Sequence, residues 1–490
     1  MADSLSELAE VIRGGLATAP KDGVRPLLKS LFGERFHKRH FNEKIDGLLR
    51  DAYGLASGAA EGVPFAGLLH PDSTPSGAYG GASLAWFPTQ DAGSLITFVV
   101  GTAGLSPDEG MLTRPGHRRR VVALRRHLKS LGVRAWTKAD PSSLGEPLPK
   151  AARDEFNGFD RVFQRYGGEI YCMAHVPDSA GLARQVVGAF LDLYAHERGW
   201  ETLKAWKPES DALLGAVWNR AFEAVTPEQV NRVLRSRRFV ILQGPPGTGK
   251  TRLAEQVRRD FFGGHGHTVQ FHPAVTYEDF LVGLSPDAKA SQLLFGVREG
   301  HLLKAARKAR ERDALLVLDE INRADLSKVL GEAVFLFEPK EVGGAAARRV
   351  RLTHAVEDSD EFALPEGLYV LGTMNTADRS TAPLDIAIRR RFAFVTVSPD
   401  RSVIEAQGLP LALEAFDRLA DVFIEHAPDD ALDLLPGHSY FLAGDEAALK
   451  ERFRYELVPL LDEYLRQGLI GPAASELQAV RDGIADAASA

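Results

Sequence analysis

Two groups of residues in the second half of the chain have the types and spacing of phosphate chemistry. Gly244, Pro245, Pro246, Gly247, Thr248, Gly249, Lys250 and Thr251 form one, a glycine-rich loop closing on a lysine and a hydroxyl. Glycines let backbone N–H groups close around phosphate oxygens with no Cβ in the way, and a helix starting there adds the positive end of its dipole. Lys250 is then placed to reach the β- and γ-phosphates, and the Thr251 hydroxyl to hold Mg²⁺. The second group is Asp319 and Glu320, which end the apolar run Ala314–Leu318. Such a pair suits a hydrolase: Asp319 binds Mg²⁺, usually through water, and Glu320 polarises the attacking water. Asn375 closes a third apolar run, Leu368–Met374, and a polar side chain there can orient the lytic water or contact the γ-phosphate.

These groups need strands that end side by side. Phe239–Leu242 directly before the loop reads as a fully buried strand, and Arg252–Val257 after it continues as a helix. Thr268–His272 reads as the next strand, Ala314–Leu318 as another, and Leu368–Met374 as a third beyond it. Gly343 and Gly344 are expected to turn a hairpin whose second arm is Arg348–Leu352. From about residue 400 the pattern becomes helical, with Leu411–Ala427 and Glu446–Leu465 as candidates, and the Ala-rich tail after Leu477 carries little signal.

The chain resembles the AAA+ ATPases, and within them the McrB-like branch, the motor subunits of McrBC-type modification-dependent restriction systems. The resemblance covers roughly residues 225 to 470. Its segments are Gly244–Thr251, Phe271-His272-Pro273 with Tyr277-Glu278-Asp279-Phe280, Asp319-Glu320-Ile321-Asn322-Arg323, Gly372–Ser380, Arg389-Arg390-Arg391-Phe392 and Gly437-His438-Ser439-Tyr440-Phe441. It implies an α/β fold: a P-loop AAA+ three-layer domain with a parallel sheet and a C-terminal helical lid, preceded by a separate mixed α/β domain. It also implies a ring, usually a hexamer, with nucleotide at each subunit interface. Asn375 takes the sensor position, Asp378 and Arg379 fall on the signature loop, and Arg390 and Arg391 match the arginines that reach into a neighbour's site. Guanidinium groups supplied in trans stabilise charge on the transferred phosphoryl group. The same resemblance implies ATP or GTP with Mg²⁺ as cofactors, ATP being favoured, and a separate McrC-like nuclease subunit as partner, because no nuclease constellation is evident in this chain.

The expected organisation is an N-terminal domain over 1–205, a nucleotide-binding subdomain over 206–400, a lid over 401–475 and a tail over 476–490. At 490 residues the chain is too long for one core. Its formal charge of -7 argues against a surface wholly devoted to nucleic acid. The exception is Met111–Lys138, with nine Lys/Arg and no Asp/Glu. Val121, Leu124, Leu128 and Leu131 keep a helical apolar face there, which leaves Arg118, Arg119, Arg120, Arg125, Arg126 and Lys129 for solvent and for DNA phosphates. Cys172 is the single cysteine, so no internal disulfide is expected. No secretory signal or uncharged apolar run of about 18 residues is present, and a cytoplasmic location is the simplest fit.

The leading functional expectation is a ring motor that remodels or translocates DNA for a nuclease, in restriction or phage defence. A MoxR-like protein-remodelling ATPase with an N-terminal adaptor is a second reading, favoured if only a protein client stimulates hydrolysis. A nucleotide-gated defence sensor with slow turnover is a third.

Overall fold

The computed structural model describes residues 3–15, 24–33, 49–51, 63–68, 80–89, 93–102, 114–138, 144–200, 202–286, 295–344, 347–356, 359–377 and 384–489. The chain forms two compact units, one of Met1–Ala221 with Ile424–His426, the other of Phe222–Phe423 with Ala427–Ala490.

The first unit is built on a six-stranded sheet ordered β1-β2-β3-β4-β6-β5. Its strands are β1 (Leu49–Asp51), β2 (Ala66–Leu68), β3 (Gly80–Pro88), β4 (Ser94–Thr102), β5 (Ala135–Thr137) and β6 (Ile170–Val176), and every pairing is antiparallel. Period-two alternation sends side chains to opposite faces. Leu84, Trp86, Ile96 and Phe98 enter one core with Leu8, Leu28, Val121 and Phe190 from four helices. Ala85, Phe87, Leu95 and Val99 enter the other with Ala152, Phe159 and Val162. Both faces are therefore covered, and Cys172 is buried in β6.

This unit extends past the expected limit at 205, because helix Lys207–Ala221 belongs to it. Ser210 on that helix is buried and donates its hydroxyl to Asp192 Oδ2 at 2.6 Å.

The basic stretch folds as the expected helix, Pro115–Ser130, with Val121, Leu124 and Leu128 inward. Arg118, Arg126 and Lys129 are exposed, and Arg119 and Arg125 half-buried. Arg120 departs from the expectation: it is buried and pairs with Glu197 at 2.7 Å. Glu197 is itself inaccessible and also meets Arg114 at 2.6 Å and His117 Nδ1 at 2.8 Å. Burial alone would raise the Glu197 carboxyl, but His117 and Arg120 outweigh it and hold it far below the usual carboxylate range. A buried carboxylate of this kind needs paired cations, so Arg120 is committed to the interior and is not available to phosphates.

The second unit holds a five-stranded parallel sheet ordered β15-β7-β14-β11-β8. Its strands are β7 (Phe239–Gly244), β8 (Gly266–Gln270), β11 (Ala314–Asp319), β14 (Leu368–Asn375) and β15 (Ala393–Thr396). Phe239, Ile241, Leu316 and Leu318 pack on one side, and Val240, Leu242, Leu315 and Val317 on the other. Burial on both faces is why these strands read as unbroken apolar runs.

Two hairpins leave this sheet. One pairs β9 (Val282–Pro286) with β10 (Phe295–Glu299). The other pairs β12 (Val350–Val356) with β13 (Ser359–Phe362), so the segment expected as a second arm is the first. Gly343 and Gly344 adopt positive φ, but they turn the chain ahead of the hairpin and not at its tip.

The lid comprises helices Pro410–His426, Glu446–Arg452, Val458–Arg466 and Ala474–Ser489. Phe441 meets Phe416 and Phe453 edge-on at 5.1 and 5.9 Å. The terminal stretch is part of this core: Leu477 and Ile484 are buried, and Arg481 clasps the Asp462 carboxylate at 2.7 and 2.9 Å.

Candidate functional site

Parallel strands deliver their C-terminal ends to one edge, and here the register brings three of them together. Asn375 lies opposite Gly244, where β14 pairs with β7, and Leu318 lies opposite Gly372, where β11 pairs with β14. The glycine-rich loop, the Asp319–Glu320 pair and Asn375 thus share one rim. Beside them lies a cavity of about 550 Å³ whose lining includes Pro246, Arg323, Asn375, Tyr440, Glu463 and Tyr464, within the size range of small-molecule sites.

The loop is held from several sides. Lys250 opens helix Lys250–Phe262 and is buried, with Nζ donating to the Gly244 and Pro245 carbonyls at 3.0 and 2.7 Å. Burial pushes its ammonium down to about 8, against the opposing pull of the Glu320 and Asp319 carboxylates. Thr248 Oγ1 donates to the Pro245 carbonyl at 3.1 Å, and the Thr376 N–H to the Gly244 carbonyl at 3.0 Å. A phosphate chain offers Lys250 stronger acceptors than these carbonyls.

The carboxylates are equally constrained. Thr251 Oγ1 donates to Asp319 Oδ1 at 2.7 Å, and so does Thr373 Oγ1 at 2.6 Å. Glu320 has φ 55° and ψ 48°, a left-handed conformation rare for a residue with a Cβ. Its Oε1 accepts from Asn375 Nδ2 at 2.6 Å, Arg323 Nε stands 3.5 Å from its Oε2, and Asn322 Nδ2 donates to the Asn375 carbonyl at 3.3 Å. The backbone turn at Glu320 separates the two carboxylates, one toward the Thr251 hydroxyl and one toward the Asn375 amide.

The Gly437–Phe441 segment, one of those that carry the family resemblance, closes on the loop. The Gly437 N–H donates to the Pro246 carbonyl at 2.9 Å and the Ser439 N–H to the Gly247 carbonyl at 3.0 Å. A Cβ on Gly437 would lie 2.0 Å from the Gly247 carbonyl carbon, so only glycine fits. His438 Nδ1 accepts from the Asp400 N–H at 3.2 Å, and burial lowers its pKa. The Gly-x-Ser spacing was the readable signal, since a glycine there permits backbone-to-backbone approach. Thr373 is not marked in the sequence, because a threonine inside a strand carries no signal beyond its β-propensity.

The three arginines lie elsewhere. Ala393 pairs with Val240, and Phe392 packs 6.0 Å from Phe239, so Arg389–Arg391 sit by the start of β7, whereas the glycine-rich loop leaves its other end. Arg389 stacks over Phe394 at 5.5 Å. Arg391 is buried, donates to the Ala387 carbonyl at 2.5 Å and stands 3.4 Å from Glu338. Arg390 is 65% exposed. Asp378 and Arg379 lie outside the described residues.

A family model for the AAA domain (dynein-related subfamily) matches residues 239–392. The chain is 30% identical over 346 residues to the Type IV methyl-directed restriction enzyme EcoKMcrB subunit of Escherichia coli (strain K12), covering 65% of this chain and 75% of that protein. It is 28% identical over 228 residues to the Type II restriction enzyme BsuMI component YdiS of Bacillus subtilis (strain 168), covering 38% of this chain and 66% of that protein. With the first of these matches covering three quarters of the Escherichia coli subunit, the chain belongs to the McrB-like branch of the AAA+ ATPases.

Proposed function

We propose that this chain is a Mg²⁺-dependent nucleoside triphosphatase, with ATP favoured over GTP, that works as a cytoplasmic hexameric ring on DNA beside a separate McrC-like nuclease subunit. The observation that carries the hydrolase reading is the convergence of Lys250, Asp319, Glu320 and Asn375 on one rim. Gly244–Thr251 would cradle the phosphates with their backbone N–H groups, and Lys250 would pair with the terminal ones. Thr251 and Asp319 fit Mg²⁺: they are hard oxygen donors whose interacting atoms already lie 2.7 Å apart. When bound, the ion would neutralise charge on the phosphates. Glu320 would take the proton from the attacking water while Asn375 orients that water. Asp378 and Arg379 are assigned to the signature loop on the same grounds of resemblance.

Assembly is supported by the placement of the arginines. Arg390 cannot serve the loop of its own chain from the start of β7, and its exposure leaves it available to a neighbouring copy. Arg391 would assist from within by fixing this segment. DNA as substrate is supported by the two restriction-enzyme relatives and by the exposed Arg118, Arg126 and Lys129. Among the described residues no helix is long and apolar enough to cross a membrane.

The decisive experiment measures phosphate release from ATP and GTP by the purified chain, with and without duplex DNA, for the wild type and for a variant reversing Arg118 and Arg126 to Glu. DNA-stimulated hydrolysis that the reversal weakens is the expected result. Hydrolysis indifferent to DNA at low salt would overturn the DNA reading.

A further inference from the structure

Within the carboxylate pair, one group outside the expected machinery governs both members. Strands β11 and β14 pair through Leu318 and Gly372, the last residues in their ladder. Two residues beyond Leu318, the chain at Glu320 turns into the left-handed region and its N–H leaves the sheet. That N–H does not go unmet: it donates to the Thr373 hydroxyl at 3.0 Å. The same hydroxyl donates its one proton to Asp319 Oδ1 at 2.6 Å, the oxygen that also accepts from Thr251. Thr373 is 1% exposed, so water cannot stand in for either bond. A strand side chain here replaces the backbone partner that the turn has removed.

We propose that Thr373 is a positioning residue for hydrolysis: its hydroxyl sets the backbone turn that aims Glu320 and, by the second bond, the orientation of the Asp319 carboxylate. The inference rests on the hydrolase reading above. Three facts converge on it. Left-handed backbone at a residue with a Cβ persists only where its surroundings hold it. Thr373 and Asn375 are two apart on one strand, so they share a face, and both engage the 319–320 pair. The hydroxyl's donor and an acceptor site are both in use, which leaves it a single rotamer and a rigid reference point.

Because Thr373 touches neither phosphate nor lytic water in this assignment, its loss acts on turnover and not on nucleotide affinity. Thr373→Val keeps the shape and removes both bonds, and a displaced catalytic group costs on the order of 100-fold in rate. The expected result is a kcat lowered by about that factor, with KM and equilibrium nucleotide affinity within roughly twofold of wild type. Thr373→Ser, which retains the hydroxyl, restores most of the rate. Thr373→Ala is the second variant should the valine chain fail to fold.

Amide hydrogen exchange at Glu320 in the nucleotide-free full chain gives a readout independent of turnover. Exchange that accelerates at Glu320 in the valine or alanine variant and returns to wild-type protection in the serine variant supports the proposal. Unchanged protection, or a valine variant with wild-type kcat, overturns it. If the wild-type chain fails to hydrolyse either nucleotide, the hydrolase reading falls, and the exchange experiment still decides whether Thr373 holds this turn.

Discussion

Asn375 Nδ2 donates to Glu320 Oε1 at 2.6 Å, across the ends of two adjacent strands. The amide therefore restrains the proposed general base before any nucleotide arrives, and a triphosphate would have to share or displace that contact. Glu320→Gln is expected to bind nucleotide as wild type does and to lose roughly 10²–10⁴-fold in kcat. Asn375→Ala is expected to lose about 10²-fold, as for removal of one aligned donor. Phosphate release and equilibrium binding, measured on the same preparations, check both. Wild-type turnover from Glu320→Gln would remove its role in activating water.

Lys250 makes affinity depend on pH. Burial holds its ammonium down at about 8 in the free protein, and phosphate oxygens favour the charged form, so its pKa rises on binding. Nucleotide affinity is then level with respect to this group below pH 8 and falls as pH rises above it, by up to about tenfold per unit. Calorimetry near pH 8 in two buffers of different ionisation enthalpy should show proton uptake on binding. An absence of uptake there would contradict the assignment.

The exposed and buried arginines should separate cleanly. Arg390→Ala is expected to fold and bind nucleotide normally while hydrolysis falls by about 10³–10⁵-fold, the range of a missing arginine finger. Mixing it with Lys250→Ala should restore activity, since each variant supplies what the other lacks at a shared interface. Arg391→Ala, by contrast, strips a buried side chain from the Ala387 carbonyl, and is expected to lower Tm through a loss of about 1–3 kcal/mol. Thermal melts beside activity assays distinguish the two.

Gly437→Ala tests the closure of the lid segment on the loop. Its Cβ would fall 2.0 Å from the Gly247 carbonyl carbon, against backbone that cannot yield cheaply. Overpacking of this kind costs about 1–3 kcal/mol, and it should appear as weaker nucleotide binding by roughly tenfold or more. Fluorescent-nucleotide titration reads it directly.

Much of the nucleotide-binding unit was legible because its strands are buried on both faces. Phe239–Leu242 and Ala314–Leu318 carry their burial in composition alone, and the chemistry sits where each run stops. The basic helix was only half legible. Its apolar face identifies which side is inward, but not that Glu197, from a distant helix, is buried beside Arg120 and demands it. The hairpin of Val350–Phe362 was misplaced because a glycine pair signals that the chain turns, not which segments then pair. The β9–β10 hairpin went unread for a different reason: Leu284 and Phe295 are 50% and 59% exposed, so its apolar residues do not mark an inward face.

The two backbone hydrogen bonds from Gly437 and Ser439 to Pro246 and Gly247 gear the helical bundle to the pocket floor through main-chain atoms alone. On the proposed hydrolase reading, a tilt of the loop on loss of the terminal phosphate would carry the bundle with it. In the proposed ring, stroke and chemistry would share one hinge, and the bundle's outer face would be left to vary with the load.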